Sequence, residues 1–436
     1  MNNTVKKYDN LKDNNTTRKP KLSDYLNVGI CSLIMMFFFV SMFFTTNGGV
    51  SQQEKRKLAS FPKLSEMTSE DLLSGTYFSK IDEFYKDNFV HRDQFLALSD
   101  SIDSLKGVES EIKMTVVSNS ATNQSATAKD NDDSDSDKDM YENVEQIGTL
   151  LSIDNIVCEA YGFNEPTIND YAETIKKFGD TLKDANVYNI LVPTHVEFAL
   201  PSKYKNLSAK EKPAIDLVNS KIGNNVTPVD AYSILKKHKT EYIYFKSDHH
   251  WTQLGAYYAY TKYCEAADLK PFKLKDYPLK KVEGFLGTYY SASKDQKLAD
   301  DPDVVEYRPV GADLTATIYE DSALTKSFEA SPYSDYSTGS NAYGTFLHGD
   351  NPLTIIKNPD IDSSKKVVVL KESYGNAFAP LLTQNYGEVY VIDPRYFNGN
   401  LNDFIKEHEI KDVIFINNMV AVGSQSRVDE LKKLLN

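Results

Sequence analysis

The chain is short of cysteine, of tryptophan and of positive charge. Three cysteines in 436 residues rule out a disulfide framework as the main source of stability. Cys31 lies in an apolar run, which leaves Cys158 and Cys264 as the one pair that could bridge. Lysine and arginine number 49 against 62 acidic residues, for a net charge of −13. That balance argues against a nucleic-acid partner, because phosphate binding needs a basic face that releases counterions. Long uncharged stretches are also lacking, with one exception. VGICSLIMMFFFVSMFFTT (28–46) carries no charge and, at about 1.5 Å per residue, nearly spans a hydrocarbon core of roughly 30 Å. It exceeds the apolar region of an ordinary signal peptide, and no small-residue cleavage site follows in TTNGGVSQQEK. A retained transmembrane anchor over 25–46 is therefore expected. Lys6, Lys7, Lys12, Arg18, Lys19 and Lys21 precede it, so a basic tail (1–24) belongs in the cytoplasm and the remainder outside, as a single-pass protein of the cell membrane.

Beyond the anchor, residues 47–114 place Phe78, Ile81, Phe84 and Tyr85, then Phe95, Leu96, Leu98, Ile102 and Leu105, at helical spacing. They predict extracytoplasmic helices that dock on a main domain. Residues 115–143 contain a run of Ser, Asn, Thr and Asp with too little apolar surface to offset ordering entropy, and read as an acidic disordered segment. A calcium loop is the sharper alternative there, from Asp130, Asp132 and Ser134. Against it, Asp135 stands where such a loop needs glycine, and Tyr141 where it needs the bidentate glutamate. From 144 to 436 short Val/Ile-rich runs alternate with helical stretches: VYNILVP, KVVVL, EVYVID and DVIFI. That alternation predicts a three-layer α/β domain with a mostly parallel sheet, and ligands of such sheets sit at the carboxyl ends of the strands.

The residues just after those runs carry the candidate chemistry. KVVVL leads into Lys371-Glu372-Ser373-Tyr374-Gly375-Asn376, which sets a serine at a strand-to-helix turn, where opening N–H groups can stabilise an oxyanion. A plain N-cap explains a serine there equally well. EYIYFKSDHHW offers partners: a serine nucleophile needs a neutral imidazole to take its proton and a carboxylate to hold the imidazole's tautomer. Asp248 and His250 are two residues apart on a turn. The competing readings are that Ser247 or Asp248 caps the helix WTQLGAYYAY, or that Asp248, His249, His250 and His195 hold a metal. Adjacent histidines project in different directions, which favours no metal and no cofactor. Softer candidates for oxyanion or substrate binding are Asn417 after DVIFI, Arg395 in IDPRYF, Gly349 in the turn of YGTFLHGDNP, and Tyr374 beside the serine. Asn418 shares the position of Asn417.

The stretch SDHHWT resembles the signature of the DHHW protein family, which is similar to the alginate O-acetyltransferase proteins AlgX and AlgJ. EKRKLASFP, GTYFSKIDEFYKDNFVHRDQF, VPTHVEFALP, YGTFLHGDNP, KESYGNAFAP and IDPRYF resemble further blocks of the family in the same order. The resemblance implies an SGNH-hydrolase-like domain in which Asp248 and His250 precede the nucleophile Ser373, with Glu-Ser-Tyr where SGNH enzymes have Gly-Asp-Ser. It further implies an O-acyltransferase, in the acetyl-transferring sense, acting on a cell-surface or secreted polysaccharide through an acyl-serine. A membrane-bound O-acyltransferase (MBOAT) would supply the acyl group. A carbohydrate esterase is the same chemistry with water as acceptor. A non-catalytic polysaccharide-binding or assembly protein is the third possibility.

Overall fold

The computed structural model describes residues 139–147, 149–311 and 313–435, with a few isolated positions between 36 and 88. The chain divides into two compact units, 1–51 with 57–109 and 52–56 with 110–436. The expected tail (1–24) and the run 115–138 of the acidic segment lie outside the described residues, as does the expected anchor apart from the single position Met36. In the first unit Ile81, Phe84 and Tyr85 are helical, as is Tyr77, whereas Phe78 and the set Phe95, Leu96, Leu98, Ile102 and Leu105 lie outside the described residues; Phe84 meets Phe61 edge-on at 5.2 Å. Among the described residues no helix is long and apolar enough to cross a membrane.

The second unit begins with an antiparallel meander of β1 (Val144–Ile147), β2 (Leu150–Ile153) and β3 (Ile156–Glu159). Its main sheet has eight strands: β4 (Asn186–Val192), β5 (Val226–Val229), β8 (Thr315–Tyr319), β9 (Ser327–Ala330), β10 (Leu353–Lys357), β11 (Lys366–Lys371), β12 (Glu388–Ile392) and β13 (Asp412–Asn418). A separate two-stranded pair, β6 (Lys280–Phe285) and β7 (Asp303–Tyr307), stands beside it. The spatial order of the sheet is β9-β8-β10-β12-β11-β13-β4-β5. The run β12-β11-β13-β4-β5 is parallel, whereas β10, β8 and β9 join antiparallel. The sheet is thus more mixed than expected. β8 alternates exposed Thr315 with buried Ala316 and Ile318, the pattern of an antiparallel edge with one wet face, whereas the central parallel strands β12, β11, β13 and β4 are buried on both sides and only the outermost, β5, exposes Thr227 and Pro228.

Alternation in the central strands builds two cores. Val367, Val369, Val389, Val391, Ile414 and Ile416 pack on one face with α4 (Gln253–Ala266) and α5 (Gly375–Phe378). Val368, Leu370, Val413 and Phe415 pack on the other with α1 (Glu165–Thr181), α2 (Lys212–Lys221), α6 (Leu401–Glu407) and α7 (Gln425–Lys433). α3 (Ala231–Lys237) adds Leu235 to the first core. Each such side chain contributes roughly 1.5–3 kcal/mol on burial. Cys158 and Cys264 belong to cores on opposite faces, so neither can reach the other, and both are free.

The start of α4 departs from expectation. Neither Ser247 nor Asp248 caps it: the cap is Thr252, whose Oγ1 accepts from Gly255 N at 3.3 Å. Tyr244 and Trp251 form an antiparallel bridge, with Phe245 N donating to His250 O and Thr252 N to Ile243 O. Residues 246–250 are therefore the tip of a tight loop, which must close before the helix can begin.

Candidate active site

Ser373 stands where the buried run of β11 ends and turns into α5. The turn is close enough that a Cβ on Gly375 would meet Lys371 Cβ at 2.4 Å, so only glycine lets the chain fold back there. The loop 246–250 comes to the same rim. His250 Nε2 lies 2.6 Å from Ser373 Oγ, and His250 Nδ1 lies 2.5 Å from Asp248 Oδ1. With Nδ1–H donated to the carboxylate, Nε2 is left to accept the serine hydroxyl. Asp248 and His250 are buried while Ser373 is half-buried, so the line of three opens at the serine.

The carboxylate is held on both oxygens. Asp248 Oδ1 also accepts His250 N at 3.1 Å, and Oδ2 accepts Thr288 N and Thr288 Oγ1 at 2.8 and 3.0 Å. Gly287 makes this possible, since a Cβ there would sit 2.2 Å from Asp248 Cβ. The imidazole is held on both faces. Tyr343 stacks on it at 3.7 Å with an 11° tilt and donates its hydroxyl to Ser373 O at 2.9 Å. His249 lies against it at 3.7 Å with a 38° tilt, its own Nδ1 at 2.7 Å from Thr288 Oγ1. Trp251 Nε1 donates to Tyr374 O at 2.9 Å, and Tyr374 Oη donates to His249 O at 2.5 Å, tying the histidine loop to the serine turn twice.

Thr288, Gly287 and Tyr343 were not picked out in the sequence. The first two sit some 40 residues from Asp248 with no motif around them. Tyr343 opens the stretch YGTFLHGDNP, whose visible signal is its Gly-Asp-Asn-Pro turn and not its aromatic ring.

The softer candidates lie elsewhere. Asn417 is turned into the core, its Nδ2 donating to Tyr171 Oη at 3.0 Å and its Oδ1 accepting from Arg427 Nε at 2.7 Å. β13 runs two residues further than the apolar run DVIFI, and the pleat points Asn417 away from the serine's rim. Gly349, at φ +96°, follows Leu347 and His348 in left-handed conformation, and its N–H is engaged by Phe346 O. What that loop brings to the serine turn is Asp350, which accepts from Asn376 Nδ2 at 2.9 Å and Lys371 Nζ at 2.7 Å. Arg395 donates to Asp393 and pairs with Asp350, a structural ion-pair role, though part of its side chain remains exposed. Tyr374 is fully buried and supports the loop rather than facing solvent.

Ligand atoms of Asp248, His249 and His250 lie within 4.8 Å of one another, a spacing a metal could use. To bind there it would have to take His250 from Asp248 or Ser373, and His249 Nδ1 from Thr288. His195 does not join them. It stacks on Tyr244 at 4.9 Å, and burial pushes its pKa down to about 4. The geometry favours a polarised hydroxyl over a metal centre.

Among curated proteins none matches the chain in sequence. The sequence profile of the DHHW protein family matches residues 54–149 and 130–392. A DHHW family protein of Eubacterium siraeum is 32% identical, with a TM-score of 0.62 over 68% of this chain and 98% of that one. Bacillus cereus PatB1, solved with a sulfonyl adduct, shares the fold at 20% identity and a TM-score of 0.54, over 65% and 97% of the two chains. The O-acetyltransferase domain of Pseudomonas putida AlgJ superposes loosely, at 12% identity and a TM-score of 0.37 over 65% and 96%. By the extent of the profile match and the identity to the Eubacterium protein, the chain belongs to the DHHW protein family.

Proposed function

We propose that the protein is an SGNH-hydrolase-like serine O-acyltransferase that acetylates a cell-surface or secreted polysaccharide from outside the membrane. The observation that carries this is the unbroken hydrogen-bonded line Asp248–His250–Ser373, with a half-exposed hydroxyl at its end. In the first step His250 Nε2 takes the hydroxyl proton as Ser373 Oγ attacks the donor's acyl carbonyl. Asp248 steadies the imidazolium that forms, and the imidazolium returns the proton to the departing group, leaving acyl-Ser373. In the second step His250 deprotonates a sugar hydroxyl, which attacks the acyl-serine, and the proton returns to Ser373 Oγ. Of the turn's backbone donors, those of Tyr374, Gly375 and Asn376 are already engaged, which leaves the N–H of Ser373 itself to face a developing oxyanion.

The remaining parts of the reading rest on the sequence. The anchor at 25–46 would hold the domain at the membrane, where an MBOAT could deliver the acyl group. PatB1's sulfonyl adduct supports a nucleophile in this fold, since sulfonyl groups are trapped by nucleophiles.

The test is reaction of the protein with phenylmethylsulfonyl fluoride, read by intact mass, together with turnover of p-nitrophenyl acetate. Ser373→Ala should abolish labelling and lower turnover by at least about 1000-fold. His250→Ala should approach that loss, whereas His249→Ala should cost less than about tenfold. Equal losses at the two histidines would overturn the assignment of roles. Normal surface acetylation in a Ser373→Ala strain would favour the non-catalytic alternative, and release of acetate without transfer to polysaccharide would favour the esterase.

A further inference from the structure

Glu372 stands immediately before the serine, where the Gly-Asp-Ser of SGNH enzymes would place an aspartate. It is 7% exposed, and among the described residues no lysine or arginine pairs with it. A buried carboxylate without a cation is costly unless hydrogen-bond donors compensate it. Two backbone donors do. Glu372 Oε2 accepts Tyr374 N–H at 3.0 Å, and Oε1 accepts Asn418 N–H at 3.0 Å. The first belongs to the turn that carries the serine, and the second to the last residue of the neighbouring strand β13. Ser373 Oγ lies 3.4 Å from Oε2, so the carboxylate also borders the reacting hydroxyl.

The anchor point on β13 is itself held. Asn418 Oδ1 accepts from Ala421 N at 2.9 Å, and the preceding Asn417 is fixed in the core by Tyr171 and Arg427. A single side chain therefore fastens the serine turn to a rigid strand end. It does so on the side of the turn away from β12, where the Lys371–Asp350–Asn376 contacts hold the other edge.

We propose that Glu372 is a positioning residue for the acyl-transfer chemistry. By clamping the N–H groups of Tyr374 and Asn418 with one carboxylate, it sets the backbone of Ser373 so that Oγ meets His250 Nε2 at 2.6 Å. The requirement is for two acceptor oxygens at a fixed separation, which only a carboxylate supplies. Glutamine keeps one acceptor and turns an N–H donor toward the other amide; alanine keeps none. The clamp acts on geometry and not on substrate, so it should appear in kcat and not in KM.

The inference rests on Ser373 being the nucleophile, and the experiment separates the two ideas. In the full-length protein, Glu372→Gln, Glu372→Ala and Ser373→Ala are compared with the wild type. The readouts are the rate of sulfonylation, kcat and KM for p-nitrophenyl acetate, and the thermal midpoint. A displacement of about 1 Å at a reacting atom costs on the order of 100-fold. Glu372→Ala should therefore lower kcat and the labelling rate by about that factor, with KM within threefold of wild type and Glu372→Gln between the two. Rates within threefold of wild type in both variants, whatever happens to the thermal midpoint, would overturn the proposal. Should the alanine variant fail to fold, the glutamine variant decides by the same criterion. A wild type whose labelling and turnover match Ser373→Ala would remove the serine reading itself, and the clamp with it.

Discussion

Two buried polar clusters flank the serine turn, and they accommodate carboxylates in opposite ways. On the β12 side Asp350 and Asp393 share Lys371 and Arg395: Lys371 Nζ lies 2.7 and 3.1 Å from the two acids, and Arg395 Nη2 lies 2.7 and 2.5 Å from them. Two cations facing two anions hold both aspartates below the ordinary carboxylate range, against the opposing pull of burial. On the β4 side Glu197 and Glu211 face one another, and among the described residues no lysine or arginine forms an ion pair with either carboxylate, Lys210 acting on Glu211 only from a distance. Glu211 accepts from Thr194 N and Thr194 Oγ1, and Glu197 accepts from Glu211 N and Tyr232 Oη. Burial, reinforced by the charge of Glu197, pushes the Glu211 pKa up to about 8. The same residue class is thus pushed in opposite directions, Asp350 and Asp393 toward the ionised form and Glu211 toward the protonated one. Partner charge, and not burial, makes the difference.

The strongest way to break the contrast is Lys371→Met. It leaves two aspartates sharing one arginine in the interior, and should lower unfolding stability by about 3–5 kcal/mol, read as a reduced urea midpoint at pH 7. Arg395→Lys keeps the charge but loses the planar fork, and being partly exposed it should cost less, about 1–3 kcal/mol by the same measurement. Glu211→Gln should cost least, below about 1 kcal/mol at pH 6, because the amide stands in for a carboxyl that is already neutral.

The pH dependence sharpens the contrast further. Glu211 is raised in the folded state, so its contribution to stability is complete below an unfolded value near 4.5 and is lost as pH climbs to about 8. Asp350 and Asp393 are lowered, so theirs is complete above an unfolded value near 3.8 and is lost as pH falls toward their folded values. Urea midpoints measured across pH should therefore decline on both sides of a maximum. Glu211→Gln should flatten only the alkaline limb, whereas Lys371→Met should lower the whole curve and change the slope of the acid limb alone. A variant that altered the opposite limb would show that the clusters are not independent.

Much of the fold was legible in the sequence because buried parallel strands are continuous Val/Ile runs. VYNILVP, KVVVL, EVYVID and DVIFI all became central strands, displaced by no more than two residues at either end. The antiparallel edge was less legible, since β8 and β9 are short and half polar. The cap of α4 was misplaced because a bridge between Tyr244 and Trp251 consumes the residues that look like a helix start. In the site, Asp248 and His250 could be paired from local spacing alone. Their approach to Ser373, 123 residues beyond His250, could only be expected from the rule that such sheets gather their chemistry at one rim.

By itself, then, the sequence determined which segments would be buried strands and which residue types would emerge at their ends, because periodicity and burial are local properties of the chain. Tertiary structure decided the rest. It turned Asn417 inward and Ser373 outward, set Tyr343 and Thr288 around the histidine and aspartate, and pushed the Glu211 pKa up while holding that of Asp350 down. Those outcomes depend on distances of a few ångströms between groups supplied by remote segments, and over such distances both hydrogen bonding and charge interactions change sharply.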